Sequence, residues 1–443
     1  MPGRSSRAEV SVWPAHSAMM SDHRRMGVPR LGSVEAPAVA ANPADAALPA
    51  VYYYAPADIQ LARVDRQCIV AFCSALQSRG AEVTLVAMKI RTRADEPAAE
   101  HPLDLYRIPM RFATRLRRVP VDQRHEGGPL PTLARLAVHT TEAVRAAGTP
   151  TARGRLIFYT KTYSSALVLT ALARVARTPT RVVFEAHVPP ASRMQRKVLG
   201  LVDGVVANTY VLREELVERH GLPSSRVIGT HQGTDLESWE RLEVSKEAAR
   251  SRLGLPENQQ LVVYTGKVVI GYREVEHILA AAALLRDAAP TVHFLIVGGR
   301  ADHVEHYRQR VIADNLTNVA FVGFVRPVDV HLYQLAADLL LLYYPSGLPL
   351  NDYRSPGKLF EYMASRRPIV AVDLPVLREV LGEPPAAFLV PPDAPDLLAR
   401  EILDVLSSPG PAARIAATAR ERVREFTWDA RARTILGFVD SLW

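Results

Sequence analysis

The chain is poor in lysine and nearly free of cysteine. Of its 54 Lys and Arg residues only six are lysine: Lys89, Lys161, Lys197, Lys246, Lys267 and Lys358. The formal net charge of +8 is therefore mostly arginine, spread along the chain without a dense basic tract. Nothing resembles a nucleic-acid module or a basic-aromatic stripe, so nucleic acid is not an expected partner. The basic surplus suits phosphate-bearing small molecules and leaves room for peripheral contact with an anionic membrane surface. The two cysteines, Cys68 and Cys73, stand five apart in one helical stretch, which suits neither a disulfide nor a metal pair and fits a reducing compartment. No apolar run reaches the ~20 residues of a membrane span. The densest, "ADLLLLYY" at 337–344, reads as a buried strand. Residues 1–48 lack the apolar core of a signal peptide and are rich in Ala, Pro, Ser and Arg, so a disordered extension and a cytoplasmic location, with room for contact at the inner membrane face, are expected. Several motifs are missing too. There is no P-loop, no GxGxxG, no GxSxG elbow and no Cys-His acyl-transfer pair. "EHILA", "AEHP" and "VEHYRQR" lack zinc spacing, so no metal is expected.

What is present is a globular composition, 48% apolar and 23% charged, over 443 residues, which suggests two cores rather than one. From residue 51, short β-branched runs such as "AVYYYAP", "AEVTLVAMK", "RLIFYTK", "TRVVFEAH" and "GVVANT" alternate with helical patterns. The alternation restarts at 260 with "QLVVYTGKV", "TVHFLIVGG", "VAFVGFV", "DLLLLYY" and "RPIVAVD". This is the pattern of two doubly wound α/β domains with parallel sheets, leaving a cleft at the carboxyl ends of their strands. We expect domains at 49–238 and 239–424, with a last helix in 425–443. The polar segment "LESWERLEVSKEAARSRLGLPEN" reads as a hinge between them.

Four clusters of the second half can carry chemistry. In "YTGKVVIGYREVE", Gly266 lets backbone amides approach a ligand, and Lys267 and Arg273 can each neutralise phosphate; an ordinary strand-to-helix turn fits as well. "IVGG" with Gly298 and Gly299, and "FVGFVRP" with Gly323 and Phe324, are tight turns whose backbone can frame a flat base. In "YRSPGKLFEYMASRRPIVAVD", Ser355 is available to cap a helix starting after Pro356 and Gly357, and Lys358 adds charge to the exposed amides there. Glu361 in the first turn is either a dipole-favoured surface carboxylate or a grip on the two hydroxyls of a ribose. In the first half, period-two alternation puts Glu185 and His187 on one side of a strand that ends at a rigid Pro-Pro loop. His187 there is either structural or faces the cleft.

Taken in order, "TGK…IVGG…VAFVGFV…ADLLLLYYPS…SPGKLFEYMA…PIVAVD" resembles the retaining glycosyltransferases of the GT-B fold, family 4, whose two Rossmann-like domains face each other across a cleft. The likeness runs over roughly 51–443 and is strongest from "VVYTGK" to "PIVAVD"; "FTWDARARTILGFVD" is similar to the family's final helix, which crosses back to the first domain. The resemblance implies a nucleotide-diphosphate sugar donor, retention at the anomeric carbon and no essential metal or other cofactor. It implies that Gly266, Lys267, Arg273 and Lys358 hold the donor diphosphate, that Glu361 binds the ribose, and that His187 stands near the reaction centre. It implies a small-molecule, secondary-metabolite or glycan hydroxyl as acceptor.

Three positions depart from that pattern. Tyr353 stands where the first carboxylate of an E-x7-E pair is expected, with Asp352 one place earlier, so Asp352 or the following amides (through Tyr353, Ser355 and Gly357) are candidates for the donor sugar. "YYYAPADIQLARVDRQ" replaces a Gly-Gly loop, leaving Asp58 and Arg63 as acceptor-side candidates. Arg366 follows the helix where glycine is usual, which requires either a left-handed backbone or a different helix end. Two other readings stay open: a nucleotide-sugar epimerase or phosphorylase on the same fold, and a non-catalytic sugar- or nucleotide-binding protein that has lost its first carboxylate.

Overall fold

The structure is a computed structural model that describes residues 48–55, 64–91, 108, 112–122, 129–149, 153–242 and 244–443. The expected N-terminal extension, except its last residue, and the candidates Asp58 and Arg63 lie outside the described residues.

Two all-parallel sheets follow one another along the chain. The first contains β1 (Ala50–Tyr54), β2 (Glu82–Arg91), β3 (Ala113–Asp122), β4 (Leu156–Thr160), β5 (Thr180–Ala186), β6 (Gly204–Ala207) and β7 (Val227–Gly229), in the order β3-β2-β1-β4-β5-β6-β7. The second contains β8 (Gln260–Thr265), β9 (Val292–Val297), β10 (Val319–Gly323), β11 (Leu339–Leu342), β12 (Ile369–Val372) and β13 (Phe388–Val390), in the order β10-β9-β8-β11-β12-β13. Central strands such as "LIFYT" and "LLLL" are buried along their whole length, because helices cover both faces of each sheet. Strand order reverses between β1 and β4 and again between β8 and β11. Such reversals open crevices at the carboxyl ends of the strands, and the residues that follow β4, β8 and β11 line them.

The pattern reading passed over β3 and the helix Pro129–Gly148. β3 is an edge strand, "ATRLRRVPVD", in which alternate arginines hide the strand pattern. Arg115 and Arg117 both bond the fully buried carboxylate of Glu142 on that helix. The connection between the halves is no bare hinge either. It forms the helices Leu236–Glu240 and Lys246–Leu253, and the second is fastened by Arg250, which donates to the Ala336 carbonyl (2.9 Å) and pairs with Asp338.

The last helix, Trp428–Asp440, packs beside helix Val64–Ser78, and Ile435, Leu436 and Val439 share a core with Ile69 and Phe72. The returning chain crosses the 233–235 segment closely, joined by a parallel bridge between Thr234 and Thr427. A Cβ at Gly233 would lie 2.4 Å from the backbone of Thr427 and Trp428, so only glycine lets the two segments pass. Helix Gly357–Ala364 runs on through Ser365 into Arg366, whose φ of 60° is left-handed. An arginine in this glycine position costs about 1–2 kcal/mol.

Candidate functional site

At the second sheet's crevice the turns after β8, β9 and β10 stack on one another. The Gly266 amide donates to the Val297 carbonyl (2.9 Å) and the Gly298 amide to the Gly323 carbonyl (2.7 Å). A Cβ on Gly298, at φ 113°, would sit 2.1 Å from the Gly266 carbonyl oxygen, so any side chain there would force the turns apart. Gly266, Gly298 and Gly323 are thus one surface, while Phe324 beyond it is exposed. Lys358 reaches this surface from helix Gly357–Ala364: its Nζ lies 4.1 Å from the ring centre of Tyr264 and 5.3 Å from that of Tyr344. It is close enough to Gly266 that a Cβ there would be 2.8 Å from Nζ.

Around Lys358 stand two further cations, Lys267 and Arg354, and two carboxylates, Glu274 and Glu361. Glu274 accepts from the Tyr264 hydroxyl (2.7 Å) and lies 3.7 Å from Arg354, whose guanidinium covers Tyr344. Burial pushes the Lys358 ammonium down to about 8; Glu274 and Glu361 oppose this, and Arg354 and Lys267 add to it. Glu361 is aimed by Gln334 of helix Pro327–Ala336, whose Nε2 donates to Glu361 Oε2 (2.9 Å) and to Thr265 Oγ1 (3.1 Å). Burial raises the Glu361 carboxyl above its ordinary range, and Gln334 and Lys358 offset part of that. Capping does not describe this carboxylate, because its hydrogen bond goes to a neighbouring helix.

Ser355 does not cap the helix; Pro356 holds that position without a side-chain bond. The Ser355 hydroxyl instead accepts from the Gln232 amide (2.9 Å) and meets His231 Nδ1 (3.3 Å), joining the two halves. Gly357 lies beside Gln232 as well. Tyr353 packs against the core of the first half, and Asp352 is exposed in the short helix Pro349–Tyr353. Arg273 has a left-handed backbone (φ 57°) and its guanidinium donates to the Ser346 carbonyl (2.8 Å). Lys267 is exposed.

Across the cleft, His187 Nε2 lies 2.7 Å from Glu185 Oε1, and its Nδ1 lies 3.3 Å from Asn208 Nδ2. Glu185 Oε2 accepts from the Tyr159 hydroxyl (2.5 Å) and pairs with Arg431 (3.1 Å) of the last helix. Burial alone would raise the Glu185 carboxyl, but Arg431, His187 and Lys161 outweigh it and hold it well below the usual carboxylate range. Arg431 also donates to the Thr230 and His231 carbonyls (2.6 and 2.8 Å), so the network reaches the segment linking the halves. Lys161, at the end of β4, borders the same small hollow with Cys68, Gln232 and Trp428.

Pattern reading missed Gln334, Arg431, Arg354 and Lys161. Only Lys161 offered a signal, as one of six lysines placed directly after a strand. The halves are latched beside the site by Glu379 of helix Pro375–Leu381, which accepts from the Tyr210 and Val211 amides (3.1 and 2.9 Å) and lies 2.7 Å from buried His231 Nε2. Among the described residues no cluster of three or more His, Cys, Asp or Glu is arranged to hold a metal, and no helix is long and apolar enough to cross a membrane.

Comparison with known proteins gives two family matches, one in each half. Residues 67–238 match the model of Glycosyltransferase Family 4, and residues 259–408 that of Glycosyl transferases group 1. Among curated relatives, the D-inositol 3-phosphate glycosyltransferase of Streptomyces bingchenggensis is 25% identical over 285 residues, which is 59% of this chain and 58% of that protein. That of Nocardioides sp. is 28% identical over 282 residues, 59% of each. The chain thus spans about three fifths of these relatives. Among solved structures, a sucrose-phosphate synthase from Thermosynechococcus elongatus superposes with a TM-score of 0.64 at 22% identity, over 89% of this chain and 99% of that one. Anabaena HepE in complex with UDP and glucose gives 0.63 at 17% identity, over 89% and 100%. At these identities the structural likeness concerns the fold.

Proposed function

Because the chain belongs to the group 1 glycosyltransferases and has the GT-B fold, we propose that it moves a hexosyl or N-acetylhexosaminyl group from a nucleotide-diphosphate sugar to a hydroxyl of a small molecule or glycan. The observation that carries this reading is the meeting of the stacked glycine turns with Lys358 and an aimed Glu361 at the β8–β11 reversal. A cation held among aromatic rings at the start of a helix matches a diphosphate. A carboxylate with one oxygen held by Gln334 and the other open matches a vicinal diol. The Anabaena neighbour was solved with UDP and with UDP-glucose, which favours a uridine donor.

In this reading the leaving diphosphate gathers charge against Lys358, Lys267 and the positive end of helix Gly357–Ala364, with Arg273 at the margin, and electrostatic stabilisation does most of the work. The acceptor attacks from the face the diphosphate leaves, giving retention, and the departing phosphate takes the acceptor proton. Both ring nitrogens of His187 are engaged, so it positions the transferred sugar and does not serve as a free base. Lys161 faces the acceptor side of the cleft. The latch through Glu379, His231 and Ser355 holds the halves together and limits water entry. Asp352 or the amides after it serve the donor sugar in place of the missing carboxylate.

One observation favours a second reading. Tyr353 both replaces the expected carboxylate and turns away into the first half, as fits a protein that binds nucleotide sugars without turnover. Incubation with UDP-, GDP-, ADP- and dTDP-sugars and an acceptor panel, followed by mass spectrometry and NMR of the product, tests both. An acceptor-dependent product with retained anomeric configuration is expected. Donor binding with no transfer across the panel supports the second reading, and sugar isomerisation without acceptor supports an epimerase.

A further inference from the structure

Helix Gly357–Ala364 has a second end. Beyond its C-terminus lies a cavity of about 360 Å³, bounded by the connecting segment after Trp239, helix Pro327–Ala336 and helix Pro409–Arg422. Three arginines line it, Arg366, Arg367 and Arg420, with one acidic residue, Glu240. Arg420 is only 9% exposed; its Nη2 donates to Glu240 Oε1 (3.1 Å), and its buried Nη1 finds no hydrogen-bond partner among the described residues. Arg367 is fixed by donating from Nε to the Leu335 carbonyl (3.0 Å). Trp239, tilted over His331 at 4.2 Å between ring centres, forms an apolar wall.

Neither stability nor the cleft chemistry accounts for this arrangement. Arg366 keeps a left-handed backbone that glycine would adopt without strain, and it brings like charge close to Arg420. Strain kept in order to place a charged side chain points to a function for that side chain. Three arginines around one half-open hollow, set against a single carboxylate, are the chemistry that recognises phosphate oxygens. The volume lies at the low end of small-ligand pockets and admits a monosaccharide phosphate. We propose that this cavity is a second binding site, separate from the cleft, for a small phosphorylated metabolite held by Arg366, Arg367 and Arg420 with its uncharged part against Trp239.

Isothermal titration with glucose 6-phosphate and, separately, inorganic phosphate tests the site. The proteins compared are the wild type, a Lys161→Met/Lys358→Met double variant lacking two of the cleft's cations, and Arg366→Gly. One saturable site for glucose 6-phosphate is expected in wild type and double variant alike, weakened at least tenfold in Arg366→Gly. Arg366→Gly is also expected to melt higher than wild type, so that its lost binding is not lost folding. A sugar phosphate that binds at least tenfold tighter than inorganic phosphate supports a metabolite. Equal affinities would assign the site to free phosphate and overturn that part. No saturable binding, binding lost in the double variant, or binding unchanged in Arg366→Gly overturns the site itself.

Discussion

The two faces of the cleft treat buried charge in opposite ways. On the first-half face, Glu185 is surrounded by partners: Tyr159, His187 and Arg431, with Arg431 in turn saturated by backbone carbonyls. On the second-half face, Lys358 rests on two aromatic rings and is pushed down to about 8, and Glu361 has a single side-chain donor. The first arrangement pairs its carboxylate on both oxygens and holds a histidine in place. In the proposed reading the second is completed by a polyanion with hydroxyls. The difference teaches where the proposed binding energy would come from: one face pairs its buried charges internally, and the other leaves its charges less paired for a ligand.

The comparison is broken most severely at Arg431. Arg431→Met strands Glu185 among buried groups and is expected to cost about 3–5 kcal/mol of stability, read as a large fall in the melting temperature. Lys358→Met should do the reverse. Removing a cation from an apolar niche is expected to raise the melting temperature of the free protein, by about 2 °C for each ~1 kcal/mol gained. Nucleoside diphosphate affinity should fall by about 10- to 100-fold, the value of a charge-assisted contact of ~1.5–3 kcal/mol. Glu361→Gln keeps the Gln334 contact in reach but loses the anion, so donor affinity should drop by about tenfold with little change in unfolding. Equal donor affinity in Glu361→Gln would leave it a structural residue. His187→Gln should lower kcat more than it changes donor affinity, if the ring positions the sugar as proposed.

The smallest effect comes from pH and has a definite sign. Lys358 binds its proton less tightly in the folded protein than its ordinary value of 10.5 implies, so between about 8 and 10.5 the unfolded chain holds more protons there. The contribution of this group to stability therefore rises with pH across that window. Donor affinity should move the other way, weakening as pH passes 8, because the diphosphate needs the ammonium. Lys358→Met should abolish both slopes.

Much of this was readable from the chain because it depends on local pattern. The buried strands of the second half, the glycine turns at 266, 298 and 323, and the left-handed demand at Arg366 all follow from short stretches. Partners brought from far along the chain were not readable. Gln334 lies 27 residues from Glu361, and Arg431 meets Glu185 only because the last helix packs on the first half. Ser355 reads as a helix cap until the Gln232 amide, 123 residues away, claims its hydroxyl. Tyr353 carries no local sign that it turns toward the first half's core rather than the donor helix.

A thermal-shift titration of UDP, GDP, ADP and dTDP against wild type and Lys358→Met tests the central claim most directly. At least one nucleoside diphosphate should raise the melting temperature of the wild type at pH 7, and the gain should largely vanish in Lys358→Met although that variant starts higher. Absence of stabilisation by all four, or an undiminished gain in Lys358→Met, would contradict a diphosphate site at this helix.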